Sequence, residues 1–481
     1  MDVAARRWEM SDSFMPSLAS PAAAKTQPPG LLRQIGIFSA TALVISNMAG
    51  SGIFATTGFM AGDLGSAGLI LAAWSVGALF ALAGALSYSE LGVNFPKSGG
   101  EYVYLTEAYG PTWGFMSGWI SFFAGFSAPI AAAALAFSGY LGHFFPALKP
   151  ENAVVTVGSG ALTLRLGAGQ AAAALLIAAF TVLNCLGVKR TTAVQNVLTS
   201  IKLAVMSALI VGGFLFGTGS WSNLSQHAVR TSTTTLPVQF VVSLIWVMVG
   251  YSGWNAATYV AGELKNPERT LPRALALGTL VVALLYLGLN LVFLYSTPLE
   301  SMKGVIAIGA LSASNLFGPR VAGVFAALMA LAIMATVNAM VTIGPRVYYA
   351  MAQRRAFLPA AGRVDPRWHT PVIAIVSQGV CAMLMTLTPF PDLMVYIGMT
   401  LTFFTVLSAA SVLKFRRTRP DWTRLAGVSF CYPLVPLAYV FVGTCMMVYG
   451  FIGQPVTSMS AFATVVAGAM VYRFVILRKT A

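Results

Sequence analysis

The sequence predicts an all-α polytopic membrane protein with twelve transmembrane helices. The chain has 481 residues, of which 57% are hydrophobic and only 9% are charged. A soluble domain carries roughly 25% charged residues, so this composition excludes a soluble protein. Apolar runs near the ~20 residues that a helix needs to cross a bilayer recur along the chain, and they are too long for the strands of a membrane barrel.

The twelve apolar runs give the predicted spans. They are 34–62, 66–92, 112–141, 168–187, 191–216, 237–262, 273–296, 319–349, 371–389, 392–413, 428–451 and 456–477. Residues 1–30 hold four prolines and no apolar run, which predicts a flexible tail rather than a signal peptide. Residues 478–481 form a second, short tail.

The basic residues predict the orientation. Lys and Arg number 29 against 14 acidic residues, a net charge of +15. With a cytoplasmic N-terminus, 23 of them fall in cytoplasmic segments and 5 in outer ones. Cytoplasmic loops of membrane proteins collect Lys and Arg, so both termini are expected inside the plasma (inner) membrane. The same charge would indicate nucleic acid in a soluble protein, but here it predicts contact with lipid and no nucleic-acid partner.

Two spans contain flexible residues at their centres. Span 1 contains Gly50-Ser51-Gly52, and span 6 contains Tyr251-Ser252-Gly253. Glycine costs up to ~1 kcal/mol against alanine in a helix, so an unwound turn is favoured, although close helix packing through small residues is the alternative. Each motif lies in the first span of a five-span unit, 34–216 or 237–413. Because five is odd, the units enter the membrane in opposite directions, a pattern typical of inverted-repeat transporters.

The two unwound turns predict a site for a zwitterion. A half-helix that begins near Ile53 presents free N–H groups to an anion such as a carboxylate. Carbonyl groups freed at Met48, Val249 and Gly250 need donors in a membrane, and an ammonium group supplies them. An α-amino acid carries both charges and is therefore the expected ligand.

Four stretches of the chain resemble the amino acid–polyamine–organocation permeases, and within them the L-type amino-acid transporter-like branch of bacterial type. They are Gly50-Ser51-Gly52-Ile53-Phe54; Ser98-Gly99-Gly100-Glu101-Tyr102 with Tyr109-Gly110-Pro111; Tyr251-Ser252-Gly253-Trp254-Asn255 with Asn266-Pro267-Glu268-Arg269; and Gly344-Pro345-Arg346. The resemblance implies one permease domain over 31–477. It also implies a LeuT-type five-plus-five inverted repeat with two extra helices, 428–477, and with spans 1 and 6 unwound at mid-membrane.

The resemblance also implies which residues bind substrate. The carboxylate is expected on the 50–52 turn and the amine on span 6 and the end of the first half-helix. The residues are Met48, Gly50, Ser51, Gly52, Val249, Gly250 and Ser252. The family often has a bulky aromatic residue where this chain has Val249.

Lys202 is the one charged residue in the body of a predicted span. A lysine there costs ~2.5–3.5 kcal/mol or more, so it either extends to the cytoplasmic face or has a function. The resemblance implies that its ammonium reaches the unwound turn of span 1, where sodium-coupled relatives hold sodium. A fixed cation would give an ion-independent exchanger, and a lysine that releases a proton would give a proton-coupled symporter. Both alternatives predict transport without sodium.

The substrate is expected to be a neutral L-amino acid, because no Asp or Glu lies in the middle of spans 1, 3, 6, 8 or 10. Cationic amino acids or polyamines are the alternative. The expected pocket is partly apolar, with Phe122, Phe126 and Phe403 among its candidates. Gate candidates are Arg346 and Glu90. Three glutamates, Glu90, Glu101 and Glu107, are expected either to pair with Lys97, Arg269 or Arg346 at an inner gate or to be solvated.

Other classes of protein receive little support. The four cysteines and three histidines are scattered, so neither a metal site nor a cofactor is predicted, and the chain is not expected to be an enzyme. A membrane amino-acid sensor on the same fold is the remaining alternative. The connection 142–167 contains no cysteine. We therefore expect no disulfide-linked heavy subunit, and a monomer or a weak homodimer.

Overall fold

The computed structural model describes residues 31–50, 52–157, 164–305, 308–388, 390–453 and 455–477. Ser51, one of the predicted binding residues, lies outside these ranges, as do both predicted tails. The described chain is mostly helical, because its long apolar runs must satisfy every backbone N–H and C=O group internally within a membrane.

The first half of the chain forms eight α-helices among the described residues. They are α1 Ile37–Met48, α2 Gly52–Leu64, α3 Ala67–Asn94, α4 Glu101–Tyr109, α5 Pro111–Ile120, α6 Ala128–Leu141, α7 Ala168–Cys185 and α8 Val188–Phe216. A π-helical turn, Ser121–Ser127, joins α5 to α6. Short 3-10 turns lie at Pro146–Leu148 and Trp221–Ser225.

The second half contains twelve α-helices, several of them short, within the described ranges. They are α9 Leu236–Tyr251, α10 Ala256–Tyr259, α11 Pro267–Ser296, α12 Leu299–Met302, α13 Ile308–Phe317, α14 Pro319–Ile343, α15 Pro345–Gln353, α16 Val372–Met385, α17 Phe390–Thr418, α18 Ala426–Phe430, α19 Leu434–Gly453 and α20 Pro455–Val471. 3-10 turns at Ala261–Glu263 and Pro359–Gly362 and a π-helical turn at Tyr472–Ile476 complete the set.

The helices confirm a polytopic membrane protein. In the part of the chain that the structure describes, eight helices are long and apolar enough to cross a bilayer. Shorter apolar helices of 10–17 residues, including α1, α9 and α16, fall within further predicted spans.

The structure adds one small sheet that the sequence pattern did not predict. Strand β1, Val155–Val157, pairs antiparallel with β2, Leu164–Leu166, so that Val155 lies opposite Leu166. Both strands belong to the long connection between α6 and α7. Three residues per strand are too few for the alternating pattern to be recognised in a sequence, although Val-Thr-Val favours a strand.

Helix α1 lies at the centre of the molecule. It packs against α11, α8 and α14, and α11 packs in turn against α3. Every residue from Ala42 to Met48 is buried. The end of α1 is therefore surrounded by other helices, which is the environment in which an interrupted membrane helix can be stabilised.

Candidate functional site

Two helix interruptions face each other in the core. Helix α1 ends at Met48 and α2 begins at Gly52, whereas α9 ends at Tyr251 and α10 begins at Ala256. A Cβ atom on Gly52 would lie 2.7 Å from the Gly250 Cα atom. Real side chains do not approach a backbone so closely, so glycine is required for the two segments to touch.

A cavity of about 100 Å³ lies between these interruptions. Five predicted binding residues line it: Met48, Gly50, Gly52, Val249 and Ser252. Gly250 is behind the wall, in contact with Gly52. None of the described residues that line the cavity is Asp, Glu, Lys or Arg. The space is therefore suited to a ligand without a charged side chain.

Of the three predicted aromatic pocket residues, only Phe126 lines this cavity. Phe122 packs instead against Tyr348, with 4.9 Å between ring centroids. In a regular α-helix, residues four apart lie on the same face. Phe122 and Phe126 lie in a π-helical turn, which has more residues per turn, so their side chains point in different directions. Phe403 belongs to a separate cleft with Met447. The prediction that Phe122 and Phe403 line the pocket was wrong.

A tyrosine that sequence reasoning missed connects the two interruptions. The hydroxyl of Tyr286 in α11 lies 2.8 Å from the Met48 carbonyl oxygen and 3.0 Å from the Gly250 carbonyl oxygen. The Val249 carbonyl accepts a hydrogen bond of 2.7 Å from the Ser252 hydroxyl. The Met48 and Val249 carbonyls also accept backbone N–H groups, from Gly50 at 2.7 Å and from Ser252 at 3.2 Å. The three carbonyls expected to bind an amine thus all have donors beside them already.

Asn47 supplies a further acceptor that the sequence pattern did not indicate. Its side-chain amide nitrogen donates to the Gly253 carbonyl at 3.3 Å, and the residue lines the cavity. Its Oδ1 atom is buried and has no hydrogen-bond partner among the described residues. Buried polar atoms are rarely left unpaired, so this oxygen is available to a ligand donor.

Lys202 lies at the end of α1. Its Nζ atom donates to the Ala49 carbonyl at 2.6 Å, to the Ser46 carbonyl at 3.2 Å and to the Thr336 hydroxyl at 2.6 Å. The side chain is 2% exposed, so it does not extend to the cytoplasmic face. Thr336 also lines the cavity. The ammonium is therefore separated from the cavity by Thr336. It binds carbonyl groups that have no helical partner because α1 ends at Met48.

Two buried ion pairs replace the pairings expected from sequence. Arg346 binds Glu263 in a bidentate manner, at 2.7 Å and 3.2 Å, and each side chain is 1% exposed. Glu90 accepts from Arg416 Nε at 2.7 Å and from Trp422 Nε1 at 2.7 Å. The expected pairing of the three glutamates with Lys97, Arg269 or Arg346 was wrong, because helix packing brings other partners to them. These are Arg416 for Glu90, Arg354 for Glu107 and neutral side chains for Glu101.

Glu101 has only neutral partners. Its Oε1 atom accepts from the Tyr88 hydroxyl at 3.0 Å and from Asn255 Nδ2 at 2.7 Å, and the Tyr259 hydroxyl donates to Oε2. Burial raises the pKa of this carboxyl group, while the hydrogen bonds from Tyr259 and Tyr88 oppose that shift. Asn255 and Tyr259 both line the cavity. Asn255 and Tyr259 therefore separate the carboxylate of Glu101 from the cavity.

The family of the chain follows from comparison with known proteins. Residues 35–475 match the model of the family described as "Amino acid permease". The chain belongs to the amino acid permease family. The predicted resemblance is thereby confirmed, and with it transport of amino acids as the class of function.

Individual relatives agree with this family. The chain is 29% identical to the serine/threonine exchanger SteT of Bacillus subtilis (strain 168), over 86% of this chain and 90% of the relative. It is 29% identical to the large neutral amino acids transporter small subunit 2 of Mus musculus, over 92% and 81%. It is 26% identical to the human cystine/glutamate transporter, over 95% and 89%.

Proposed function

We propose that this permease carries neutral L-amino acids across the plasma membrane by alternating access and without sodium. The observation that carries the proposal is the cavity between the two helix interruptions. It holds no charged side chain among its described lining residues, yet it is bounded by a helix N-terminus at Gly52 and by the acceptor oxygen of Asn47.

The carboxylate of the substrate binds at the start of α2. The first N–H groups of a helix have no partner within it and attract an anion. Gly50 and Gly52 line the cavity at this point, and Ser51 is expected to add its hydroxyl. The absence of side chains on both glycines lets the carboxylate approach the backbone closely.

The ammonium of the substrate binds between α1 and α9. Asn47 Oδ1 has no other partner among the described residues. The Met48 and Val249 carbonyls lie beside it, and the ammonium shares them with the hydroxyl and backbone N–H groups that they already accept. Ser252 lines the cavity beside them. These oxygens supply the acceptors that the three hydrogens of an ammonium group require.

The side chain of the substrate points toward an apolar wall. Val249, Ile397, Leu401 and Phe126 are among the residues that line the cavity. Such a wall favours an aliphatic or aromatic side chain over a charged one, since an unpaired charge is costly in this environment. Valine at position 249, in place of a bulky aromatic residue, leaves more room for the substrate.

Lys202 takes the place of a coupling ion. Its ammonium lies 2.6 Å from the Ala49 carbonyl, at the end of α1, and is buried. A cation already bound by these carbonyls makes sodium unnecessary. Transport is then either an obligatory exchange of amino acids or proton-coupled. The exchanger from Bacillus subtilis among the relatives favours exchange.

The proposed architecture has twelve spans in two inverted five-span repeats, 34–216 and 237–413, followed by two extra helices. Spans 1 and 6 are unwound at mid-membrane, and both termini lie in the cytoplasm. Arg346, through Glu263, and Glu90, through Arg416, hold the inner side closed and must separate when it opens. The permease acts as a monomer or a weak homodimer without a disulfide-linked subunit.

Uptake into sodium-free liposomes tests this proposal. Purified protein would be given labelled leucine, serine, lysine or glutamate in separate reactions. Each would use vesicles preloaded with the same unlabelled amino acid and empty vesicles with an inward proton gradient. We expect uptake of leucine, serine or both, and none of lysine or glutamate. Uptake of lysine alone would mean that the permease carries cationic substrates, and binding of an amino acid without any uptake would indicate a sensor.

A glycine variant links the uptake to this cavity. Gly52→Ala should abolish uptake, because the added methyl group would lie 2.7 Å from Gly250 Cα. The matched control is Gly36→Ala, where an added methyl group has no heavy atom within 4 Å. Equal uptake by the two variants would show that the substrate does not pass between the two interruptions.

A further inference from the structure

Glu101 lies at the start of α4, against the second helix interruption. A Cβ atom on the preceding Gly100, which has φ of +53°, would lie 2.5 Å from Tyr259 Cε1. Glycine therefore lets α4 begin directly on Tyr259. This close approach places the carboxylate of Glu101 between Tyr259 and Asn255, and the residue is 5% exposed.

The carboxylate is connected to the cavity by two side chains. Asn255 Nδ2 lies 2.7 Å from Glu101 Oε1 and 3.0 Å from the Tyr259 hydroxyl. The Tyr259 hydroxyl donates to Glu101 Oε2. Both residues line the cavity, so a change at the carboxylate alters groups that contact the substrate.

Glu101 differs from the other two buried glutamates near the site. Glu263 has Arg346 as its partner and Glu90 has Arg416, whereas Glu101 has no cationic partner among the described residues. The titratable groups that face it are all tyrosines: Tyr88, Tyr104, Tyr259 and Tyr439. A buried carboxylate without a counter-charge is costly, and binding a proton removes the charge.

We infer that Glu101 binds and releases a proton during the transport cycle and is the site at which pH acts on substrate binding. The inference rests on the proposed function only in taking an amino acid as the ligand. The proton forms an O–H bond at Oε2. The neutral carboxyl group then donates to the Tyr259 oxygen, and the hydrogen of Tyr259 turns away from Glu101 toward the cavity.

Proton and substrate thereby affect one another. When Glu101 is ionised, both Asn255 and Tyr259 donate to it. When it is protonated, Tyr259 can donate to a ligand instead. Binding of the proton therefore changes the affinity for substrate, and by linkage the substrate changes the affinity for the proton by the same factor.

Substrate affinity at different pH values tests the inference. The dissociation constant of the wild type for the neutral amino acid it takes up would be measured between about pH 5 and about pH 8. We expect it to change by as much as about tenfold per pH unit where Glu101 titrates. Glu101→Gln, which stays neutral, should give a constant value. The control Glu268→Gln removes an exposed carboxylate and should behave as the wild type.

Three outcomes would overturn the inference: a wild type whose affinity does not depend on pH, a Glu101→Gln variant that keeps the wild-type pH dependence, and a variant that loses affinity for lysine alone. The last result would make Glu101 a ligand for a cationic substrate. If Glu101→Gln does not fold, Glu101→Asp provides the comparison. It keeps a carboxyl group and should keep the pH dependence with a shifted midpoint.

Infrared spectroscopy of the empty protein separates this inference from the proposed function. The carbonyl band of a protonated carboxyl group would be followed during a pH titration, with Glu101→Gln or Glu101→Asp as the reference. We expect the wild type to gain a band as the pH is lowered over this titration, and the Gln variant to lack it and the Asp variant to show it shifted. A Glu101 that stays ionised over the whole titration would refute the inference even if amino acids are transported. A titrating Glu101 would support it even if the substrate is another compound.

Discussion

Lys202 and Glu101 are two buried ionisable residues that lie behind the lining of the same cavity, and the chain stabilises them in opposite ways. Lys202 donates to two backbone carbonyls and one hydroxyl, and Thr336 separates it from the cavity. Glu101 accepts from three side chains, and Asn255 and Tyr259 separate it from the cavity. Neither has a partner of opposite charge in the described chain.

The difference lies in the groups to which each charge is hydrogen-bonded. The acceptors of Lys202 exist because α1 stops at Met48, so the ammonium and the helix interruption depend on each other. The donors to Glu101 are hydroxyl and amide groups that can rotate, and Tyr259 can either donate or accept. A charge held by fixed backbone suits a permanent role, whereas a charge held by rotatable side chains suits a group that gains and loses a proton.

Replacing Lys202 should have the largest effect. Lys202→Met removes the donor from the Ser46 carbonyl and leaves the Ala49 carbonyl with the Thr336 hydroxyl alone, at a cost of about 1.5 kcal/mol for each lost hydrogen bond. We expect uptake to fall about 100-fold or more, since about 3 kcal/mol corresponds to that factor. Initial rates of uptake into liposomes measure it. Lys189→Met, an exposed lysine at the start of the same helix, should keep wild-type rates, and equal loss in both variants would contradict this account.

The buried ion pair of Arg346 and Glu263 serves as a comparison for Lys202 and Glu101, which have no partner of opposite charge among the described residues. Arg346→Gln leaves the buried carboxylate of Glu263 unpaired, so we expect a loss of about 3 kcal/mol in stability and slower transport. Arg354→Gln breaks an exposed pair with Glu107 and should cost at most about 1 kcal/mol. Thermal unfolding in detergent and uptake rates measure both. Unchanged uptake kinetics in Arg346→Gln would show that this pair is not a gate.

Removing the Tyr259 hydroxyl should shift the titration of Glu101 and weaken its effect on substrate affinity. Tyr259→Phe deletes a hydrogen bond that stabilises the ionised carboxylate. The pKa of Glu101, which burial already raises, should therefore rise further, and the midpoint should move about one unit toward alkaline pH. Infrared titration of the carboxyl band shows the shift, and substrate affinity measured over pH shows the weaker coupling. A midpoint that moves toward acidic pH would mean that Tyr259 accepts from Glu101 rather than donating to it.

The smallest effect is expected at Thr336. Thr336→Val removes a hydroxyl that lies between Lys202 and the Ala49 carbonyl but leaves the ammonium in contact with that carbonyl. The loss of one hydrogen bond, about 1 kcal/mol, should slow uptake about fivefold. The pH dependence should stay as in the wild type, because Glu101 is untouched. A changed pH profile in this variant would make Lys202 the group that exchanges the proton.

The cost of a charge in a membrane explains both why the sequence marked Lys202 as functional and why it gave no sign that Glu101 binds a proton. A charge inside an apolar run is conspicuous because the membrane makes it costly, and this marked Lys202 as functional. Glu101 lies in a connection where charged residues are ordinary. Only the folded chain places it among Tyr88, Asn255 and Tyr259, which belong to other segments.

The helices and the glycine motifs were predictable because they depend on local pattern. Apolar runs long enough for a bilayer predicted the helical membrane protein, and Gly50 and Gly52 predicted where a helix stops. Tyr286 and Asn47 act through contacts with atoms distant in the chain, so no local pattern marked them. The partners of Glu90 and Arg346 were missed for the same reason, since long-range pairing depends on how helices pack.

The central claim is that an amino acid crosses the membrane through this cavity without sodium. Labelled neutral amino acids would be supplied to the purified wild type in liposomes, with external sodium either present or replaced by choline. Half of the vesicles would be preloaded with unlabelled amino acid, and half would be empty with an inward proton gradient. The account predicts uptake at the same rate with either cation. Uptake that collapses in choline would contradict it, because Lys202 would then not take the place of a coupling ion.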